Sequence, residues 1–404
     1  MKKLRRHPFM PLILLLLVLV VYAAWAIHQP LPLLHPSRGV TLLPTQTSAS
    51  NLNWPSSQAA VGIVDSSVLE KHGLQTPVPT ASTAKIITAL MILKQKPLKT
   101  GEQGPTITLT SSDVDIYNRY VAQDGSVVPV QAGEQITEYE ALQAVMLPSA
   151  NNMADSMAIW AYGSMSAYAA AANAYVAGLG LTGTHIGSDA SGLAPDTVST
   201  AQDLVRLGEL AMQNPVLAQI VGQSTATGIP LASSIRNVNV LLGTSGIVGI
   251  KTGNSDQAGG VYVSASKTTL GNKSVTIVTA LMGTPDLGSA LRDSLPLIKS
   301  AQANFTSQAI VANSGKTLGT YALPWGGSVT AVASGDLHVE VWKGTAVASK
   351  VTLNTIAAGT HAGQAVGTVS AGHTTLSDQS SIPVIIKTDI PQPSLWWRLL
   401  HPAR

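Results

Sequence analysis

The sequence predicts two folded parts, an α+β domain over residues 52–306 and a small all-β domain over residues 307–390. Three observations carry this. Helix-like segments group in the middle of the chain and strand-like segments follow them, the pattern of an α+β domain. After Ser307 the helical periodicity stops, and short alternating runs between Gly- and Ser-rich turns take over. A chain of 404 residues also exceeds what one hydrophobic core usually holds.

In chain order, residues 1–28 come first. Lys2, Lys3, Arg5 and Arg6 precede Met10 to Ile27, a run without one charge. A basic head before an apolar stretch is an export signal or a membrane anchor, with the remainder on the outer side. Ala24-Trp25-Ala26 offers a small-x-small cleavage site, yet the run is also long enough to span. Residues 29–51, rich in Pro, Ser and Thr, read as a tether. The formal charge of +3 belongs to the first segment. Without its four cations, 20 basic side chains face 21 acidic ones, so the basic balance does not point to nucleic acid. The chain has no cysteine, which excludes disulfides, thiolate metal sites and a cysteine nucleophile. Its nine histidines are scattered, so no metal is implied.

Ala59 to Val64 reads as a strand, and Ser82 to Leu93 as a helix apolar around most of its circumference, hence buried. Thr137 and Glu140 form a capping box that opens a helix ending at Pro148. Ala154 to Leu179 reads as one or two helices. Val248 to Lys251, Gly260 to Ser266 and Ser274 to Met282 read as consecutive strands, the last two joined by a turn at Leu270 to Lys273. Leu337 to Trp342 alternates as a half-exposed strand does. The tail, residues 391–404, sets two tryptophans and three leucines beside Arg398, which suits either an interfacial segment or a packed terminal helix.

Three short stretches carry chemistry. In Thr80 to Leu90, TASTAKIITAL, the only charge is Lys85, three residues after Ser82 and on the same helical face. Pro77 and Pro79 stop any helix upstream, so Ser82 falls in the first turn, where the helix dipole favours a developing alkoxide. Lys85 acts as a base only when neutral. Burial and a second cation would both lower its pKa. Ser149 and Asn151 follow a helix stop at Pro148 and either point into a cleft or merely cap the next helix. Lys251 and Thr252 sit at a strand end before Gly253 and Asn254. They supply a cation, a hydroxyl and a glycine that lets a ligand approach the backbone; an exposed strand-end lysine is the plainer alternative.

S-x-x-K, S-x-N and K-T-G in this order resemble the serine D-alanyl-D-alanine carboxypeptidases, the low-molecular-mass penicillin-binding proteins. The resemblance runs from about Asn51 to Met282. It includes Ser188 to Leu193, Ser199 to Leu204 and Gly249 to Gly260. Asn254 and Ser255 depart from it, standing where members often have His and Thr. The resemblance implies a β-lactamase/transpeptidase-like fold and no cofactor. It implies Ser82 as nucleophile, Lys85 as its base, Ser149 as proton relay and Asn151 as orienting group. Lys251, Thr252, Gly253 and Asn254 would bind substrate. The implied partner is a peptidoglycan stem peptide ending in D-Ala-D-Ala, with β-lactams as covalent inhibitors, at the outer face of a bacterial membrane. Cross-link endopeptidase, β-lactamase and penicillin sensor remain as alternatives. A class A β-lactamase needs a glutamate after S-x-N, and the only one before Lys251, Glu209, reads as an exposed helix position.

Overall fold

In the computed structural model, the described residues are 9–40, 42, 45–227, 234–270, 273–311, 313–373 and 379–402. The basic head from Lys2 to Arg6 and the centre of the expected turn, Gly271-Asn272, lie outside them. The chain divides into two compact units, Ala49–Phe305 and a second one made of Met1–Ser48 with Thr306–Arg404.

The first unit is built on a five-stranded antiparallel sheet. Its strand order is Ile247–Ser255, Gly259–Leu270, Lys273–Thr284, Gln58–Ile63 and Leu69–His72. The three late strands are consecutive, as their pattern predicts, whereas the early strand enters from the chain start to pair Ala60 with Ala280. Side chains alternate across the sheet. Val261, Val263 and Ala265 share one core with the helices Lys85–Gln95, Glu138–Met146, Asn151–Tyr162 and Ala201–Gln213, and helix Leu287–Gln302 packs on the two central strands.

Helix Lys85–Gln95 is the centre of that core. Every residue from Lys85 to Leu93 is buried, as its all-round apolar surface requires. Burial of Ile86, Ile87 and Ile92 contributes on the order of 2 kcal/mol each. A 3₁₀ turn, Ala81–Ala84, leads into it. The capping box at Thr137 forms as read: its hydroxyl accepts the Glu140 N–H, and the Glu140 carboxylate accepts the Thr137 N–H. The alanine-rich region resolves into two helices, Asn151–Tyr162 and Met165–Gly178, broken at Gly163 with φ 84°.

The second unit holds a seven-stranded antiparallel sheet, and beside it a two-stranded sheet of Phe305–Val311 and Leu337–Trp342. Leu337–Trp342 is a strand whose alternate residues are buried. One expectation fails here. Residues 29–51 do not form a free tether. Leu34 is buried and pairs with Ile356, Pro36–Gly39 pairs with Thr317–Ala322, and Thr45–Gln46 pairs with Ala346–Leu353. These are edge strands too short to show a period, and their partners lie some 300 residues away. No local pattern could reveal them.

Candidate active site

Ser82 lies in the 3₁₀ turn, half-buried, one turn before the fully buried Lys85. Lys85 Nζ is 2.9 Å from Ser82 Oγ, 2.7 Å from Asn151 Oδ1 and 3.0 Å from the Ser191 carbonyl oxygen. As an ammonium, Lys85 donates to all three. As a neutral amine it donates to the two carbonyl oxygens, and its lone pair is left facing the Ser82 hydroxyl. Burial pulls its pKa from 10.5 down to about 7, while the charges of Asp189 and Asp155 push it back up.

Strand Ile247–Ser255 packs against this turn. Gly253 lies so close that a Cβ there would sit 3.1 Å from the Ser82 backbone nitrogen and from the Thr80 carbonyl, which explains the glycine. Lys251 is 1% exposed and donates to the Thr252 carbonyl at 3.2 Å. Burial, and then the charge of Lys85, hold its pKa well below the usual lysine value. The expected effect of a second cation thus falls on Lys251, and at Lys85 burial dominates. Thr252 is buried beside it. Asn254 is exposed, and its side-chain oxygen accepts the Leu287 N–H.

Asn151 opens the helix Asn151–Tyr162 and is held from behind by its own N–H bond to the Ser126 carbonyl at 2.7 Å. Ser149 has φ 68°, and its hydroxyl is buried with no hydrogen-bond partner among the described residues. The structure therefore joins Ser82, Lys85 and Asn151 in one hydrogen-bonded cluster, sets Gly253 against Ser82, and couples Lys251 electrostatically to Lys85.

Two supporting groups escaped the sequence reading. The Ser191 carbonyl is a backbone group and has no side-chain signature. Its loop is tied by Asp189, which accepts the N–H groups of Ser191, Gly192 and Ala194. Gly192, at φ 76°, passes so near the Ala81 carbonyl that no side chain fits. Asp155, one helical turn beyond Asn151, accepts the Ala190 N–H at 2.9 Å, the Tyr120 hydroxyl at 2.8 Å and Arg119 at 2.7 Å. Burial raises its pKa to about 6.

Glu209 needs correction. It is 2% exposed, not a solvated position, and its carboxylate pairs with Arg206. Gly62 in the strand opposite leaves it room. Its neighbours are Gly62, Arg206 and Asp65, and none of the groups that shift Lys85 is a glutamate. This placement, rather than exposure, sets Glu209 apart from the glutamate a class A β-lactamase needs.

The fold is that of the penicillin-binding proteins. The chain matches penicillin-binding protein 5 from Haemophilus influenzae with a TM-score of 0.57 at 20% identity, over 87% of this chain and 100% of the other. The D-alanyl-D-alanine carboxypeptidase family profile matches residues 47–285, more than half of the chain, and the protein belongs to that family. It is 31% identical over 218 residues to a D-alanyl-D-alanine endopeptidase of Pseudomonas aeruginosa, covering 52% of this chain and 66% of the relative. It is 30% identical over 195 residues to the D-alanyl-D-alanine carboxypeptidase DacB2 of Mycobacterium tuberculosis, covering 46% and 62%. The chain thus spans just under two thirds of the length of these relatives.

Proposed function

We propose that this protein is a serine D-alanyl-D-alanine carboxypeptidase that removes the terminal D-alanine from peptidoglycan stem pentapeptides. The observation that carries this is the buried Lys85 amine, with a pKa of about 7, 2.9 Å from the Ser82 hydroxyl. Ser82 Oγ attacks the carbonyl of the penultimate D-alanine as its proton passes to Lys85 Nζ. Asn151 and the Ser191 carbonyl hold the two amine hydrogens and so aim the lone pair. The backbone N–H groups of Ser82 and Asn254 stabilise the oxyanion. The proton on Lys85 moves through Ser149 to the leaving amine, D-alanine departs, and an ester remains on Ser82. Water then hydrolyses the ester.

Thr252, with Lys251 behind it, receives the substrate's terminal carboxylate. Burial and Lys85 both disfavour the charged form of Lys251, and the carboxylate offsets them, which favours a free C-terminus over an internal bond. β-Lactams acylate the same serine. The protein acts at the outer face of a bacterial membrane, to which helix Met10–His28 attaches it. That helix is long and apolar enough to cross a bilayer.

Cross-link cleavage is the second reading, supported by the similarity to an endopeptidase. The test offers detergent-solubilised full-length protein a stem pentapeptide and, separately, a cross-linked muropeptide dimer. Release of free D-alanine from the pentapeptide at the higher kcat/KM supports the carboxypeptidase. Faster cleavage of the dimer would replace it with the endopeptidase. Activity on both that survives Ser82→Ala would remove the serine mechanism altogether.

A further inference from the structure

Helix Lys85–Gln95 carries the run Ile86-Ile87-Thr88-Ala89-Leu90-Met91-Ile92-Leu93 through the core, and Thr88 is the one polar side chain in it. Thr88 is fully buried. A hydroxyl so placed costs stability unless it is hydrogen-bonded, and a valine of the same shape would avoid that cost. A helical threonine ordinarily bonds back to the carbonyl four residues before it. Here that contact, to Ala84, is 3.4 Å, whereas the Ala190 carbonyl lies 2.6 Å away. The single hydroxyl proton of Thr88 therefore goes to Ala190. Its oxygen stands 2.8 Å from the Tyr168 hydroxyl, which must then be the donor of that pair. Tyr168 is buried, and burial raises its pKa, so the phenol keeps its proton.

This relay ends beside the reacting groups. Thr88 lies three residues beyond Lys85, on the same helical face. Lys85 and Thr88 thus grip two successive carbonyls of one loop, Ser191 at 3.0 Å and Ala190 at 2.6 Å. From the other side, Asp155 holds the Ala190 N–H at 2.9 Å. Ala190 is fixed through both its backbone groups, and the carbonyl that follows it is the one that orients the Lys85 amine. Without the Thr88 hydroxyl, the Ala190 carbonyl would be left unpaired in the core, and the peptide joining it to Ser191 would turn to satisfy it.

We propose that Thr88 and Tyr168 are positioning residues for the acylation of Ser82. Tyr168 donates to Thr88, Thr88 donates to the Ala190 carbonyl, and the Ser191 carbonyl is thereby held where it takes one hydrogen of the Lys85 amine. Both side chains act through Lys85. Their loss frees the amine to turn its lone pair away from the Ser82 hydroxyl. A displaced Ser191 carbonyl also withdraws a hydrogen bond from the ammonium form, which lowers the Lys85 pKa. The charged groups facing Lys85 are Asp155, Asp189 and Lys251, and changing Thr88 or Tyr168 alters none of them. The proposal rests on the catalytic reading above, with Lys85 as the base.

The test is stopped-flow acylation of the detergent-solubilised full-length protein by a fluorescent penicillin, read across pH and penicillin concentration. Thr88→Val keeps the shape and removes the hydroxyl. It should lower the limiting acylation rate by on the order of tenfold, leave the dissociation constant for penicillin unchanged and move the pH midpoint below that of wild type. Tyr168→Phe should act in the same direction to a smaller degree, and it carries the test alone if Thr88→Val does not fold. Thr88→Ser restores the hydroxyl and should recover rate and midpoint together. In a Lys85→Arg background, Thr88→Val should cost nothing further, because the amine it positions is gone. Wild-type rate and midpoint in both Thr88→Val and Tyr168→Phe would overturn the proposal. An equal loss in the Lys85→Arg background would also overturn it, because it would mark damage to packing. If Lys85→Arg alone acylated like wild type, the base itself would be misassigned, and the positioning role would fall with it.

Discussion

If Lys85 is the base, acylation of Ser82 must follow the neutral amine. The pKa falls from 10.5 to about 7, so 10.5 − 7 = 3.5 units separate the site from an ordinary lysine. That difference corresponds to about 5 kcal/mol in favour of the neutral form. At pH 7 about half of the molecules then carry a competent base, against about one in 3,000 for an unperturbed lysine. The assay is stopped-flow acylation by a fluorescent penicillin between pH 5 and 9. The second-order rate should rise about tenfold per unit at low pH and level off near pH 7. Lys85→Arg keeps the charge and much of the bulk but never deprotonates. It should lower the rate by about 10²- to 10⁴-fold, the usual worth of a positioned base. A flat profile in the wild type, a midpoint near 10, or an arginine variant within tenfold of wild type would refute the assignment.

Two further outcomes follow from the buried carboxylates. Asp155 raises the Lys85 pKa, so Asp155→Asn should move the midpoint of the acylation profile below that of the wild type, and an unmoved or higher midpoint in that titration would contradict the coupling. Glu209 is raised by burial from 4.5 to about 7, against the opposing charge of Arg206. A carboxyl raised on folding contributes stability below its unfolded pKa and loses it as pH rises through the folded value. The window is therefore pH 4.5 to 7, and 7 − 4.5 = 2.5 units set an upper bound of about 3 kcal/mol. Glu209→Gln should melt higher than wild type at pH 8, with the difference shrinking by pH 5. Equal melting points at both pH values in calorimetry would exclude a buried, destabilised carboxylate.

The proximity of the candidate site residues was legible in the sequence where it depended on local spacing. Ser82 and Lys85 lie three apart; the apolar circumference demanded a buried helix, and the structure buries Lys85 to Leu93 while a 3₁₀ turn holds Ser82 half-buried just before them. The strands near Lys251 are consecutive hairpins, so their order showed in the chain. What escaped is nonlocal or carries no side-chain signature. The Ser191 carbonyl completes the lysine's hydrogen bonds from a loop 106 residues away. Asp155 reaches that loop through the Ala190 N–H and looks like any helical acid in the sequence. Glu209 reads as an exposed helix position, whereas it is buried against Gly62, in a strand far upstream. Pro36–Gly39 and Thr45–Gln46 were invisible because a two- to four-residue edge strand has no period to detect.

The central claim is that Ser82 is the acylated residue and Lys85 its base. The most direct measurement is peptide mapping by mass spectrometry after the protein is mixed with penicillin at pH 7 and quenched in acid. One adduct with the mass of the intact penicillin is expected, on the peptide containing Ser82, absent in Ser82→Ala and slowed in Lys85→Arg. An adduct on any other residue, or one that persists in Ser82→Ala, would contradict it.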